Sequence, residues 1–336
     1  MKRLVIAPNW LGDAVMAIPF LRALKRDDPE GRLAVLCRKS SAPFLPLSGA
    51  VDEVWESRGR DAAGFWRDAA RGRRARIDEI WVLPHSFRSA FLAWAMRGRR
   101  RIGYSADRRD ALLTSAIPRP PAIDHQLRDE DRLLASAGIA PDEGPPRIAI
   151  PESLAAAAEK ELAAHDLAAT SPVFLAPGAA FGPTKLWPAE RFALLADALL
   201  DRGEKAALVV GPGEVELGML IARRARHRVP ILGAELDTGK LAALLARGKL
   251  LIGNDSGPAH LAAAAGTPTV VFFGPTDPGR TAPRGAPSLV LDRYVFCSPC
   301  YLKTCPYQHE CLEEISVPMA LEAALRMIDP PHSGTP

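Results

Sequence analysis

Two periodicities alternate along this chain. Short apolar runs bounded by turn formers, such as "RLVIAP" (3–8), "RLAVLCR" (32–38) and "EIWVLPHS" (79–86), predict buried strands. Between them, apolar residues recur at helical spacing in "AVMAIPFLRALKRD" (14–27) and "SAFLAWAMRG" (89–98). The second half repeats the pattern, with strands predicted at "VFLAPG", "AALVVGPG", "VPILG", "LLIGND" and "PTVVFFGP". Its helices fall at "ERFALLADALLDRG", "EVELGMLIARRA", "KLAALLARG" and "PAHLAAAAG". Strand then helix, repeated, predicts an α/β protein with parallel sheets wound on both faces. Gly203, Gly233, Gly248 and Gly266 punctuate the turns.

The Pro-rich stretch "APDEGPPRIAIPES" (140–153) ends the first set of units, a helical segment (154–167) follows, and the second set opens at Val173. The expected organisation is two doubly wound, Rossmann-like domains, 1–168 and 169–336, with a cleft between them. A last helix near 317–329 could pack back on the first domain. In such sheets ligands sit beyond the carboxyl ends of strands, so the informative residues should follow "RLVIA", "VFLAPG", "ALVVG" and "LLIGN".

Composition narrows the class. The 336 residues, 48% hydrophobic and 24% charged, are those of an ordinary globular protein. No apolar run reaches the roughly 20 residues that span a bilayer. Lys2 and Arg3 lead straight into a strand, so no secretory leader is read and a cytoplasmic protein is expected. Net charge is only +4, yet arginines crowd 71–76, 97–101 and 108–109. They are either a solvated face or a surface for an anionic partner: nucleic acid, phospholipid headgroups or a phosphorylated glycan. Few aromatic residues stand near them in sequence, which argues against single-stranded nucleic acid.

Candidate chemistry lies at the expected strand exits. Asp13 stands where the first helix begins, as a cap or as a general base toward a hydroxyl acceptor. "LLIGNDSGPAHL" ends a strand at Gly253 and starts a helix near Pro258, which places Asp255, Ser256, Gly257 and His260 at the positive end of a helix, suited to an anion. "APGAAFGPTKLWP" carries Ala180 and Thr184 to Lys185, a point charge suited to a phosphate, but lacks the Walker pattern. "GPGEVEL" offers Glu214 for ribose hydroxyls, or merely as a helix N-terminal acid. Together these describe a nucleoside-diphosphate pocket, with a base across the cleft: the parts of a glycosyl transfer.

"NWLGDAVMAIPFLRAL", "LPHSFRSA", "PGAAFGPTKLWP", "GPGE", "GNDSGPAHLAAAAGTPTVVFFGPTDP" and the cysteine tail together resemble the ADP-heptose:lipopolysaccharide heptosyltransferases, glycosyltransferase family 9, over nearly the whole chain. The "PGAAFGPTKLWP" form is most similar to the type II members. The resemblance implies a GT-B fold, ADP-L-glycero-D-manno-heptose as donor, and inversion at the sugar carbon with no cofactor required. The implied acceptor is a heptose on the Kdo–lipid A inner core, met at the cytoplasmic face of the inner membrane, where the enzyme would be peripheral. By motif position Asp13 matches the catalytic base, Lys185 the lysine on the diphosphate, Asp255 the acid on the donor heptose and Glu214 the ribose acid, with Glu216 as a nearby competitor. Type I members carry a threonine where this chain has Ala180, so only the backbone N–H could serve there. Ser86 and Arg88 become acceptor-side candidates, and the phosphorylated core gives the arginine-rich half a partner.

Cys297, Cys300, Cys305 and Cys311 form C-x2-C-x4-C-x5-C with His309 nearby. In a reducing compartment this spacing reads as a structural zinc or iron–sulfur site, or as a loop of free thiols. Rival readings are another core heptosyltransferase, another GT-B nucleotide-sugar enzyme such as a UDP-sugar 2-epimerase, and a nucleotide-binding scaffold docking on RNA. Nucleic acid is not the expected partner.

Overall fold

The computed structural model describes residues 1–59, 61–121 and 124–329. The chain divides into two compact units, one of Met1–Ala149 and one beginning at Ile150. The first holds strands β1 (Lys2–Ile6), β2 (Arg32–Cys37), β3 (Glu53–Glu56), β4 (Glu79–Val82), β5 (Arg100–Tyr104) and β6 (Ser115–Ile117). The second holds β7 (Val173–Ala176), β8 (Ala206–Val209), β9 (Ile231–Leu232), β10 (Leu250–Asn254), β11 (Thr269–Phe273) and β12 (Ser288–Asp292).

Both sheets are parallel and share one winding, β3-β2-β1-β4-β5-β6 and β9-β8-β7-β10-β11-β12. The chain moves outward over three strands, returns to the centre and moves outward the other way. The order therefore reverses between β1 and β4 and between β7 and β10, where the connections diverge and leave a crevice. The central strands are continuous apolar runs because helices cover both faces: Leu4, Val5, Phe174 and Leu175 are fully buried. β7 and β10 lie so close that a Cβ on Gly253 would stand 2.4 Å from the Ala176 carbonyl oxygen. Trp187, Phe192 and Phe272 fill the second core, with Trp187 centroids 5.0 and 4.6 Å from the other two rings.

Several expectations are corrected. The boundary falls at 149/150 rather than 168/169, because helix Glu152–Ala163 buries Ala158 and Leu162 and packs on helix Thr238–Leu245 of the second unit. Helix Val317–Ile328 buries Ala320, Ala323 and Ala324 in the second unit's own core, against β10, β11 and β12. The segment after β1 is two helices, Leu11–Met16 and Ile18–Asp27, since Pro19 has no N–H to continue the first ladder. Strands β3, β5, β6 and β12 escaped the hydrophobic pattern because they lie toward or at the sheet edges with polar residues in them; "EVWE" and "RRIGY" carry charges at strand positions.

Part of the arginine runs serves the fold. Arg100 pairs with the buried Glu79, and Arg101 donates to the carbonyls of Leu112 and Gly98 at 2.8 Å each. Arg71 pairs with Glu53 and lies 4.2 Å over the Trp55 ring. Arg109 is wholly buried, donating to the Tyr104 carbonyl at 2.9 Å and the Ser89 hydroxyl at 3.2 Å. Arg99 is 84% exposed, with its guanidinium 3.8 Å from Asp78.

Candidate active site

The switch points of the two sheets carry the expected residues: Asp13 follows β1 and Ser86 follows β4, while Lys185 follows β7 and Asp255 follows β10.

In the second unit three turns are tied into one site. Asn254, fully buried at the end of β10, donates to the Pro177 carbonyl at 2.7 Å and accepts from the Trp187 N–H at 3.0 Å. The turn after β7 is thereby fixed against β10. Asp255, 5% exposed, takes the Lys185 ammonium and the Thr276 hydroxyl (2.6 Å), with His260 Nε2 at 4.0 Å from its other oxygen. A carboxylate this buried needs such partners to stay charged. Ser256 is the N-cap of helix Gly257–Ala265, and its hydroxyl oxygen is buried with no hydrogen-bond partner. An unpaired hydroxyl beside free helix N–H groups suits an anionic oxygen. Glu214 accepts from the Gly211 N–H at 2.9 Å and closes over Gly178, where a Cβ would stand 2.0 Å from its carboxylate and push it aside. Glu216 is exposed in the first turn of helix Val215–Arg224, and Glu214 is half-buried at the turn after β8.

One donor-side expectation changes. The Thr184 hydroxyl is spent on the Leu302 carbonyl at 2.7 Å, so this buried side chain holds a loop. That loop is the cysteine segment, which begins after β12 and lies on the site: Tyr301 N–H donates to the Pro275 carbonyl at 2.7 Å, and the Lys303 and Lys185 ammonium groups lie 5.9 and 5.1 Å from the same Phe181 ring. Lys303 and Thr276, like Asn254, were missed because no local pattern marks them; only the folded chain brings them here. Ala180 is exposed, with no hydroxyl to offer.

The four cysteines are free thiols, and Cys311 is pushed up to about 11, by burial first and then by its three neighbours. Among the described residues, no group of three or more His, Cys, Asp or Glu is arranged to hold a metal. Cys311 sits on helix Glu310–Glu313 against Gly274, and the other three lie on a loop tied to the turns after β7 and β11.

In the first unit Asp13 is half-buried in the first turn of helix Leu11–Met16, whose N-cap is Trp10. It is therefore not the capping residue. Its carboxylate lies near Glu130, on helix Gln126–Ala135. Glu130 is 7% exposed, with one carboxyl oxygen buried and unpartnered. Burial, and then the charges of Asp13, Asp131 and Asp129, raise the Glu130 pKa well above the usual carboxylate range. A raised folded-state pKa adds stability below the unfolded value near 4.5 that is lost as pH rises, at about 1.4 kcal/mol per unit. Glu130→Gln removes that slope, so unfolding free energies measured from pH 5 to pH 8 should diverge in the variant's favour; parallel curves would contradict it.

A cavity of about 300 Å³ opens beyond β1, β2 and β4, lined by Ala7, Arg38, Asp68, Ser86 and Arg88 among others. Ser86 caps helix Phe87–Ala95 through the Ser89 N–H, and Arg88 lies 5.1 Å over Phe65. Both acceptor-side candidates thus sit on one cavity wall. Asp13 is not among its lining residues.

The family model for glycosyltransferase family 9 (heptosyltransferase) matches residues 69–310. The chain is 30% identical to lipopolysaccharide heptosyltransferase 2 of Salmonella typhimurium over 297 residues, 84% of this chain and 85% of that one. It superposes on the ADP-heptose LPS heptosyltransferase II of E. coli with a TM-score of 0.81 at 26% identity, covering 98% of both chains. A family 9 glycosyltransferase from Veillonella parvula gives a TM-score of 0.86 at 25% identity over 97% of both. With two Rossmann-like units, the fold is GT-B and the molecule is a glycosyltransferase. The chain belongs to glycosyltransferase family 9, the heptosyltransferases.

Proposed function

We propose that this glycosyltransferase moves L-glycero-D-manno-heptose from ADP-heptose to a heptose of the lipopolysaccharide inner core, in the manner of the type 2 enzymes it is similar to. The observation that carries the donor half is the coupled Lys185–Asp255–Thr276 network beside the unpaired Ser256 hydroxyl and the helix N-terminus at Gly257. It supplies a cation and N–H donors for a diphosphate, and a buried carboxylate for sugar hydroxyls a few ångströms away. When the diphosphate takes Lys185, Asp255 is released to accept from the sugar while Thr276 still orients it. Glu214, at the turn after β8, takes the ribose hydroxyls on this reading.

The reaction on this reading is direct displacement. Asp13 accepts the proton of the acceptor hydroxyl as its oxygen attacks the anomeric carbon from the face opposite ADP, the C–O bond to the diphosphate breaks, and configuration inverts. Negative charge grows on the leaving diphosphate, where Lys185 and the Gly257 helix dipole stabilise it. Ser86 and Arg88, on the wall of the first unit's cavity, hold the acceptor's polar and anionic groups. The acceptor is lipid-linked, so the enzyme works as a peripheral protein at the cytoplasmic face of the inner membrane, and it acts with protein groups alone. Calorimetry with ADP-heptose, UDP-glucose and UDP-N-acetylglucosamine tests the donor: measurable binding confined to ADP-heptose supports the reading, and preference for a uridine donor refutes it.

A further inference from the structure

The first unit carries an aromatic surface that transfer does not use. Trp66, Phe87 and Trp94 are 50%, 49% and 47% exposed, on the adjacent helices Ala62–Ala75 and Phe87–Ala95. They are not scattered. Phe91 stacks on Trp94 at 5.6 Å, on Phe87 at 6.1 Å and on Phe65 at 5.1 Å, and meets the edge of Trp66 at 6.3 Å. A contiguous, half-exposed aromatic cluster on a water-facing surface is costly unless something covers it.

Charge says what covers it. From residue 61 to residue 99, seven arginines are exposed against one exposed acid, Asp61. Arg67 and Arg74 run along the same outer face of helix Ala62–Ala75 as Trp66, and Arg73 lies 5.8 Å over the Trp66 ring. Tryptophan and phenylalanine ringed by arginine match the headgroup zone of an anionic bilayer, where amphipathic rings settle and cations meet phosphate. The rings also stack on one another, which leaves Phe91 little face for a nucleobase. The surface is continuous with the cavity beyond β1, since Phe65 and Arg88 belong to both.

We propose that the face formed by helices Ala62–Ala75 and Phe87–Ala95 docks on an anionic lipid bilayer, with Trp66, Phe87, Phe91 and Trp94 at headgroup depth. The surface stands on its own geometry; the choice of a bilayer rests in part on the lipid-linked acceptor proposed above. Docking this face brings the acceptor cavity beside the membrane surface.

The test is sedimentation of the full-length protein with vesicles of phosphatidylglycerol and phosphatidylcholine, against phosphatidylcholine alone. Binding is expected to the anionic vesicles only and to fall with salt. Trp66→Ala with Trp94→Ala should lower partitioning about tenfold or more by removing buried apolar area. Arg67→Gln with Arg74→Gln, which leaves the rings in place, should lower it about fivefold per charge. Both variants should turn over a delipidated acceptor as the wild type does and lose rate on the vesicle-embedded one. Wild-type protein that stays unbound, or variants that bind like it, would overturn the proposal. So would a single-stranded RNA that binds more tightly and is not displaced by vesicles. Absence of turnover on the delipidated acceptor by wild type would sink the functional reading and leave the vesicle result standing.

Discussion

An Asp13→Asn enzyme is expected to lose about 10²–10⁴ in kcat while binding donor as the wild type does. Asparagine keeps the shape of the side chain and removes its ability to take a proton. The structure sharpens the contrast with a purely structural role. Trp10, not Asp13, caps the helix, and no side-chain cap bond is formed there. The substitution therefore breaks no cap bond, and the first-turn carboxylate it neutralises is worth about 0.3–1 kcal/mol at the helix dipole. Melting curves and single-turnover rates on the same preparation separate the two: a large rate loss with a near-native melt is the expected pair. Retained kcat in a folded variant would end the assignment of the base.

The second large effect lies in the buried pair of the other unit. Lys185→Ala should weaken ADP binding by about 1.5–3 kcal/mol, the range for hydrogen bonds to charged groups. It also strands Asp255 with only Thr276 and His260 near it, so the unliganded protein should melt lower as well. Asp255→Ala behaves differently. It frees Lys185 from its partner in the empty site, so ADP should bind at least as tightly as to wild type, while ADP-heptose loses the sugar contact. Calorimetry with both ligands reads this directly. Equal losses for ADP and ADP-heptose in the Asp255 variant would refute the division of labour.

The strand exits were legible because parallel strands buried on both faces leave long apolar runs, and the glycine and proline turns after them are local. Asp13, Lys185, Glu214 and Asp255 were all found that way. What escaped was whatever depends on distant segments meeting. Asn254 earns its place through Pro177 and Trp187, far away in sequence. The cysteine loop follows every one of those turns in sequence, yet it bonds to Thr184 and Pro275. Aromatic residues looked sparse beside the arginine runs, because Trp66 and Phe87–Trp94 come together only when two helices pack. Outer strands with charged residues gave no apolar run, so Arg100 and Arg101 passed for surface charge while they were part of a sheet.

The central claim is heptosyl transfer to a lipid A core, and one measurement addresses it most directly. The protein is incubated with ADP-heptose and a heptosyl-Kdo–lipid A acceptor, and the lipid product is weighed by mass spectrometry while ADP is quantified. The account predicts an acceptor heavier by one heptose, with one ADP released per heptose added, and no product when Asp13→Asn replaces the wild type over the same time. An unmodified acceptor, or ADP released without a heavier lipid, would contradict it.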